Sequence, residues 1–163
     1  MKTLPLSPEA SSTGKISTFL ATGAYIGFIP VMPGTFGTLW GVPLAWAVSG
    51  LAPLWQLLAI VAVTAVSIPI AGRASTALGR PDPSSIVIDE ICGYLVGIFL
   101  LPFTAFNAIL VFILFRFFDI VKPWPVSLLD RKVKGGAGVV LDDIAAGIYT
   151  SIAAHLVIRY LNH

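Results

Sequence analysis

The chain has 163 residues, 56% of them hydrophobic and only 11% charged, with a mean hydropathy of +0.90. That is room for one domain. Soluble domains carry about 25% charged residues, so a soluble core could not hide this much apolar surface, and lipid is the natural solvent. A formal net charge of +2 is too small to suggest nucleic-acid binding, and the aromatic residues, set inside apolar runs, make no base-stacking platform; the single cysteine, Cys92, excludes an intrachain disulfide and a multi-cysteine metal centre.

The expected fold is all-α, a polytopic integral membrane helical bundle with about five crossings and a short N-terminal interfacial or re-entrant helix. Residues 1–15 hold two prolines, Glu9 and a Ser/Thr cluster and read as a flexible N-terminal arm. Residues 16–163 read as a single membrane-embedded domain. The first apolar run, 16–31, is short and interrupted by Gly23, Gly27 and Pro30. The runs 36–49, 54–71, 90–101, 105–118 and 139–158 follow. A crossing needs about 20 residues. Several runs are shorter, so tilt, local thinning or protein-lined gaps would be needed.

Charge orders these runs. The turns 50–53 and 101–104 hold no charged residue. Arg73 and Arg80 lie in one connection, Lys122, Arg131, Lys132 and Lys134 in another, and Lys2 and Lys15 in the arm. Basic loops stay in the cytoplasm. The arm, 73–89 and 119–138 are therefore expected inside, with the uncharged turns and the C-terminus outside. If 16–31 crosses as well, the count becomes six and the N-terminus moves outside. Every acidic residue except Glu9 then falls at a cytoplasmic helix end, although the topology was drawn from the basic residues alone.

Five patterns carry the chemistry. Asp89-Glu90 and Asp142-Asp143 each open a helical stretch. Such pairs serve either as caps that gain from the helix dipole or as ligands for a hard divalent cation, which needs several carboxylate oxygens. Small residues follow each pair, Gly93 and Gly97 in one case and Ala145, Ala146 and Gly147 in the other. Close helix packing would then bring four carboxylates together. Arg116, Asp119 and Lys122 are spaced by three and share a face if the helix runs through Val121. They either bind phosphate beside a metal ligand or form a positive-inside flank with an ion pair. Lys132, Lys134, Gly136 and Gly138 lie in a glycine-rich stretch before the second acid pair. It is either a loop whose N–H groups approach an anion or a flexible linker. Thr35 and Thr38, in Pro33-Gly34-Thr35-Phe36-Gly37-Thr38, either cap a helix or touch substrate. Neither histidine is placed for chemistry.

These stretches together are similar to one family. Pro33-Gly34-Thr35-Phe36-Gly37-Thr38, Ile88-Asp89-Glu90 with Gly93, Phe115-Arg116 with Phe118-Asp119-Ile120 and Lys122-Pro123, and Gly136 and Gly138 with Leu141-Asp142-Asp143 resemble, in this order, the phosphatidylglycerophosphatase A family. The resemblance implies a bacterial inner-membrane enzyme with an all-helical fold; the loop charges make it multi-pass with its site toward the cytoplasm. Such an enzyme hydrolyses phosphatidylglycerophosphate to phosphatidylglycerol and inorganic phosphate and needs Mg2+. By matching position, Asp89, Glu90, Asp119, Asp142 and Asp143 are the implied acidic catalytic residues. Asp89, Glu90, Asp142 and Asp143 are the expected metal ligands, and Arg116 and Lys122 the basic contacts to a phospholipid substrate. Attack by water is favoured over an aspartyl-phosphate, because clustered carboxylates are easier to explain as ligands than as one nucleophile. The rival class is a small transporter or channel using the acids for cations, but a transport site should lie near the midplane.

Overall fold

The computed structural model describes residues 12–161. They form helices α1 (Ser12–Ala21), α2 (Pro33–Ser49), α3 (Pro53–Leu78), α4 (Ile88–Ile98), α5 (Ala105–Val121), α6 (Val126–Lys132) and α7 (Gly135–Leu161), with a 3-10 turn at Ile26–Phe28 and no strand among the described residues. The chain is all-α as expected. Helix α1 starts at Ser12, inside the stretch expected as an arm; residues 1–11 of that arm, and His163, lie outside the described residues.

Proline and hydroxyl residues set the boundaries. Pro33 and Pro53 stand at the first positions of α2 and α3, where a missing N–H costs nothing and the fixed φ suits the helix. Thr104 caps α5 by accepting the backbone N–H of Asn107 at 3.1 Å. At the other end of α5, Lys122 adopts φ 46° and its N–H donates to the Phe118 carbonyl at 2.9 Å. Pro123 then prevents continuation. The proline-rich connection after it holds α6, a short helix that apolar periodicity did not announce.

The helices alternate in direction. Ser49, Gln56, Phe99 and Phe103 meet at one end of the bundle. At that end the Gln56 amide donates to the Leu51 carbonyl at 2.9 Å and the Asn107 amide to the Pro102 carbonyl at 2.8 Å, closing both uncharged turns. The starts of α2 and α4, the end of α5 and the acidic part of α7 gather at the other end. Helix α4 is the hub and packs against α2, α3, α5 and α7. Its Tyr94, Leu95 and Ile98 join Val111 and Phe115 of α5 in the core, and the Tyr94 hydroxyl donates to the Ala108 carbonyl at 3.1 Å.

The outside is apolar. Val61 and Val66 on α3, Ile109 and Ile113 on α5, and Ile148, Ile152 and Leu156 on α7 are each at least half exposed. Helices α3 and α7 are long and apolar enough to cross a membrane, and only 17% and 22% of their apolar windows are buried. A core helix of a soluble protein would be mostly buried, so these two fit lipid better. Length singles out only two of the five expected crossings. Helix α4, with 11 residues, is about 16 Å long, well short of a hydrocarbon core of about 30 Å.

Helices α3 and α7 touch backbone to backbone. A Cβ on Gly136 would fall on the Ile68 carbonyl oxygen and lie 2.6 Å from the Gly72 nitrogen. Neither helix backbone can move aside locally. Gly136→Ala should therefore destabilise the protein by about 1–3 kcal/mol, the usual range for overpacking, read as earlier thermal unfolding in detergent. An unchanged transition would show that the two helices are not in this contact.

Candidate active site

Asp89 and Glu90 stand in the first turn of α4, where the helix dipole favours negative charge. The Glu90 backbone N–H donates to Asp89 Oδ1 at 3.1 Å. Asp142 and Asp143 stand elsewhere than expected. Because α7 begins at Gly135, they lie in its third turn, with none of α7's acids in the first. They are thus not caps. Packing buries both, at 5% and 4% exposure. The approach of α4 to α7 makes this possible. A Cβ on Gly147 would meet the Gly93 carbonyl oxygen, and one on Gly93 would strike the Phe115 ring and lie 2.7 Å from the Asp143 carbonyl oxygen. With the helices this close, Asp89, Glu90 and Asp143 each offer a carboxylate oxygen within 4.8 Å of the others.

Helix α5 runs through Val121 and brings its three charged residues to the same place. Arg116 Nη1 lies 2.6 Å from Asp119 Oδ2 and 3.8 Å from Glu90 Oε1. Lys122 Nζ lies 2.7 Å from Asp142 Oδ2 and 2.6 Å from Asp130 Oδ1 on α6. Burial by itself would lower the Lys122 pKa, but the hydrogen bonds to Asp130 and Asp142 outweigh it and hold the ammonium above its ordinary value. Lys122 therefore keeps its charge throughout the neutral and mildly alkaline range, and the stability it adds is lost only above the ordinary lysine pKa.

These groups share a pocket of about 340 Å³ lined by Asp89, Glu90, Arg116, Asp119, Lys122 and both α7 aspartates. Gly34 closes one wall; a Cβ there would collide with Glu90 Oε1 and lie 2.9 Å from Arg116 Nη1. Glu90 Oε2, Asp142 Oδ1, Asp143 Oδ2 and Arg116 Nε are buried without a hydrogen-bond partner among the described residues. Buried polar atoms are almost always satisfied. Glu90 and Asp143 each keep such an unpartnered oxygen and also belong, with Asp89, to the group within mutual reach, an arrangement that suits a hard divalent cation. The donor set could hold a metal ion.

The remaining expected contacts do not line the pocket. Lys132, the last residue of α6, and Lys134, just beyond it, are exposed. Gly136 and Gly138 belong to the first turn of α7, not to an anion-binding loop. Gly136 seats the α3 contact, and a Cβ on Gly138 would meet the Val133 carbonyl. The buried Thr38 hydroxyl donates to the Gly34 carbonyl at 2.8 Å. Thr35 Oγ1 is buried and has no hydrogen-bond partner among the described residues, but it stands outside the lining. His155 lies 13 residues after Asp142 in α7, about 20 Å along the helix. Asp130 and Gly34 were missed as site residues. No helical spacing links Asp130 to Lys122 across the Pro123–Pro125 turn. Gly34 stood within a quoted motif, but only the fold shows what its missing side chain admits.

The fold and pocket define a helical protein with an apolar exterior and, at one end, an acidic cation-competent pocket faced by an arginine and a lysine. The family model described as Phosphatidylglycerophosphatase A matches residues 19–158, and the chain belongs to that family. It is 36% identical over 135 residues to Phosphatidylglycerophosphatase A of Escherichia coli (strain K12), covering 81% of this chain and 77% of that one. The Haemophilus influenzae protein of the same name is 35% identical over 135 residues, covering 82% and 83%. A Bacteroides thetaiotaomicron protein named as a candidate phosphatidylinositol-3-phosphatase is 36% identical over 145 residues, covering 84% and 90%. No solved structure matches the chain.

Proposed function

We propose that the protein is a Mg2+-dependent lipid phosphatase that removes the terminal phosphate of phosphatidylglycerophosphate, leaving phosphatidylglycerol and inorganic phosphate. The observation that carries this reading is the meeting of Asp89, Glu90 and Asp143 within 4.8 Å of one another in a pocket that also holds Arg116 and Lys122. Carboxylates alone would repel a phosphate, and basic groups alone would not hold a cation. The two together suit a phosphomonoester bound with a metal.

Asp89, Glu90, Asp142 and Asp143 hold the ion in this reading. When bound, such an ion neutralises phosphoryl charge and lowers the pKa of water. Arg116 and Lys122 face the phosphoryl oxygens, and Asp119 fixes the Arg116 guanidinium through the 2.6 Å pair. Water oxygen attacks phosphorus, the bond from phosphorus to the glycerol oxygen breaks, and the alcohol leaves with a proton. Met32 and Ile120 line the same pocket and are 59% and 66% exposed. They give the acyl chains an apolar path, so the head group enters sideways from lipid.

The proposed setting is the bacterial cytoplasmic membrane. Helices α2, α3, α4, α5 and α7 alternate across it, with the pocket on the basic, cytoplasmic side. Helix α4 is short, but protein surrounds it. Residues 16–163 act as one membrane-embedded unit. A transport reading is weaker because the acids lie at one end of the bundle. The candidate inositol lipid phosphatase among the relatives makes the head group the open variable.

The test is phosphate release by detergent-purified protein from phosphatidylglycerophosphate, phosphatidylinositol 3-phosphate and phosphatidic acid, with Mg2+ and with chelator. The expected result is Mg2+-dependent release, fastest from phosphatidylglycerophosphate. Faster release from the inositol lipid would move the head-group assignment. No release from any lipid with any divalent metal would sink the phosphatase reading.

A further inference from the structure

We infer that a second anion subsite, centred on Arg80, lies beside the carboxylate pocket and takes the phosphodiester of the lipid while the phosphomonoester sits among the carboxylates. This rests on the function just proposed and concerns how that site chooses its substrate.

A cavity of about 520 Å³ lies between the 3-10 turn at Ile26–Phe28 and the connection from α3 to α4. It is larger than the carboxylate pocket and chemically different. Arg80 is the one ionisable residue in its lining, which also includes Ser84 and Ser85. Among the described residues Arg80 makes no ion pair, and neither serine hydroxyl makes a hydrogen bond. The other two cations near the site are already engaged, Arg116 with Asp119 and Lys122 with Asp130 and Asp142. Among the described residues, Arg80 is thus the cation lining these two spaces that has no ion pair.

The two spaces adjoin. Pro33, Pro83 and Ser84 line both, so one wall separates them. Proline fixes φ, and Pro30, Pro33 and Pro83 stiffen the cavity wall, which lowers the ordering cost of binding. The chemistry matches the split. A phosphomonoester carries up to two charges and suits the cation-holding carboxylates. A phosphodiester carries a single charge and needs no metal; one guanidinium with hydroxyl donors matches it. In phosphatidylglycerophosphate the two phosphates are joined by one glycerol, short enough to bridge adjoining pockets. Phosphatidic acid has the monoester and no diester, so Arg80 would favour the longer head group.

The experiment compares kcat/KM on phosphatidylglycerophosphate and on phosphatidic acid in neutral detergent micelles, for the wild type, Arg80→Gln and Arg80→Lys. A charge-assisted phosphate contact corresponds to about a tenfold change in binding. The preference for phosphatidylglycerophosphate should fall about tenfold in Arg80→Gln, mainly through KM, and be partly restored in Arg80→Lys. Where phosphatidic acid is not turned over, inhibition by phosphatidylglycerol, which holds the diester alone, should weaken about tenfold in Arg80→Gln. An equal loss on both lipids would mean that Arg80 meets neighbouring lipid or supports the fold, and would overturn the subsite. An unchanged preference would overturn it too, while leaving the phosphatase reading intact. A wild type inactive on both lipids would remove that reading and the subsite with it.

Discussion

Asp143→Asn should lower metal-dependent phosphate release by at least about a hundredfold while the protein stays folded. Loss of an outer-shell partner alone typically costs 10–100-fold in metal affinity or activity, and Asp143 is one of the three acids whose oxygens converge. The substitution keeps the shape and removes the charge. Asp143 is 4% exposed and its Oδ2 has no hydrogen-bond partner among the described residues. An amide there therefore breaks no described Oδ2 contact and relieves repulsion among the acids, so the folded state should not weaken. The comparison is phosphate release over a Mg2+ titration, with thermal unfolding measured in the same detergent. Full activity in the folded variant would remove Asp143 from the site. Recovery of activity at high Mg2+ would identify the loss as one of metal affinity.

Gly34→Ala should also silence the protein, by another route. A Cβ at position 34 would occupy the place of Glu90 Oε1 and press on the Arg116 guanidinium. Both are ends of flexible side chains, so the bundle can absorb the methyl group without moving a helix. The site cannot. Glu90 would turn away from Asp89 and Asp143, and Arg116 would lose its place beside Asp119. A catalytic group displaced by about 1 Å can cost about a hundredfold, and a loss of that order in kcat is expected with little change in thermal stability. This contrasts with Gly136→Ala, where the obstacle is backbone and stability should fall. Should Gly34→Ala unfold the protein, or keep its activity, the contact of Gly34 with Glu90 is not as described.

Much of this was legible in the sequence. The all-helical class was expected and is found, and 56% hydrophobic with 11% charged residues pointed to lipid as solvent, a reading that the two long, apolar and little-buried helices α3 and α7 suggest. The convergence of Asp89, Glu90, Asp142 and Asp143 was legible because small residues follow each pair and permit close helices. The Arg116, Asp119 and Lys122 face was legible because three-residue spacing becomes adjacency on a helix. The glycine-rich stretch misled, since glycine suits both a loop and a tight helix crossing. Only the position of Ile68 and Gly72 on α3 decides for the crossing.

By itself the sequence determined which side chains are charged, how they recur along each helix, and the family those motifs resemble. Tertiary structure alone decided that Asp142 and Asp143 lie in a third turn and not at a cap, that Lys122 is held by Asp130 from α6, and that Gly34 leaves room for Glu90 and Arg116. It also decided that Arg80 opens onto a cavity beside the acids. The reason is physical. Spacing along one helix is set by the 3.6-residue turn and can be read from a single segment. Contact between helices depends on how closely two backbones approach, and that distance is set by both partners at once.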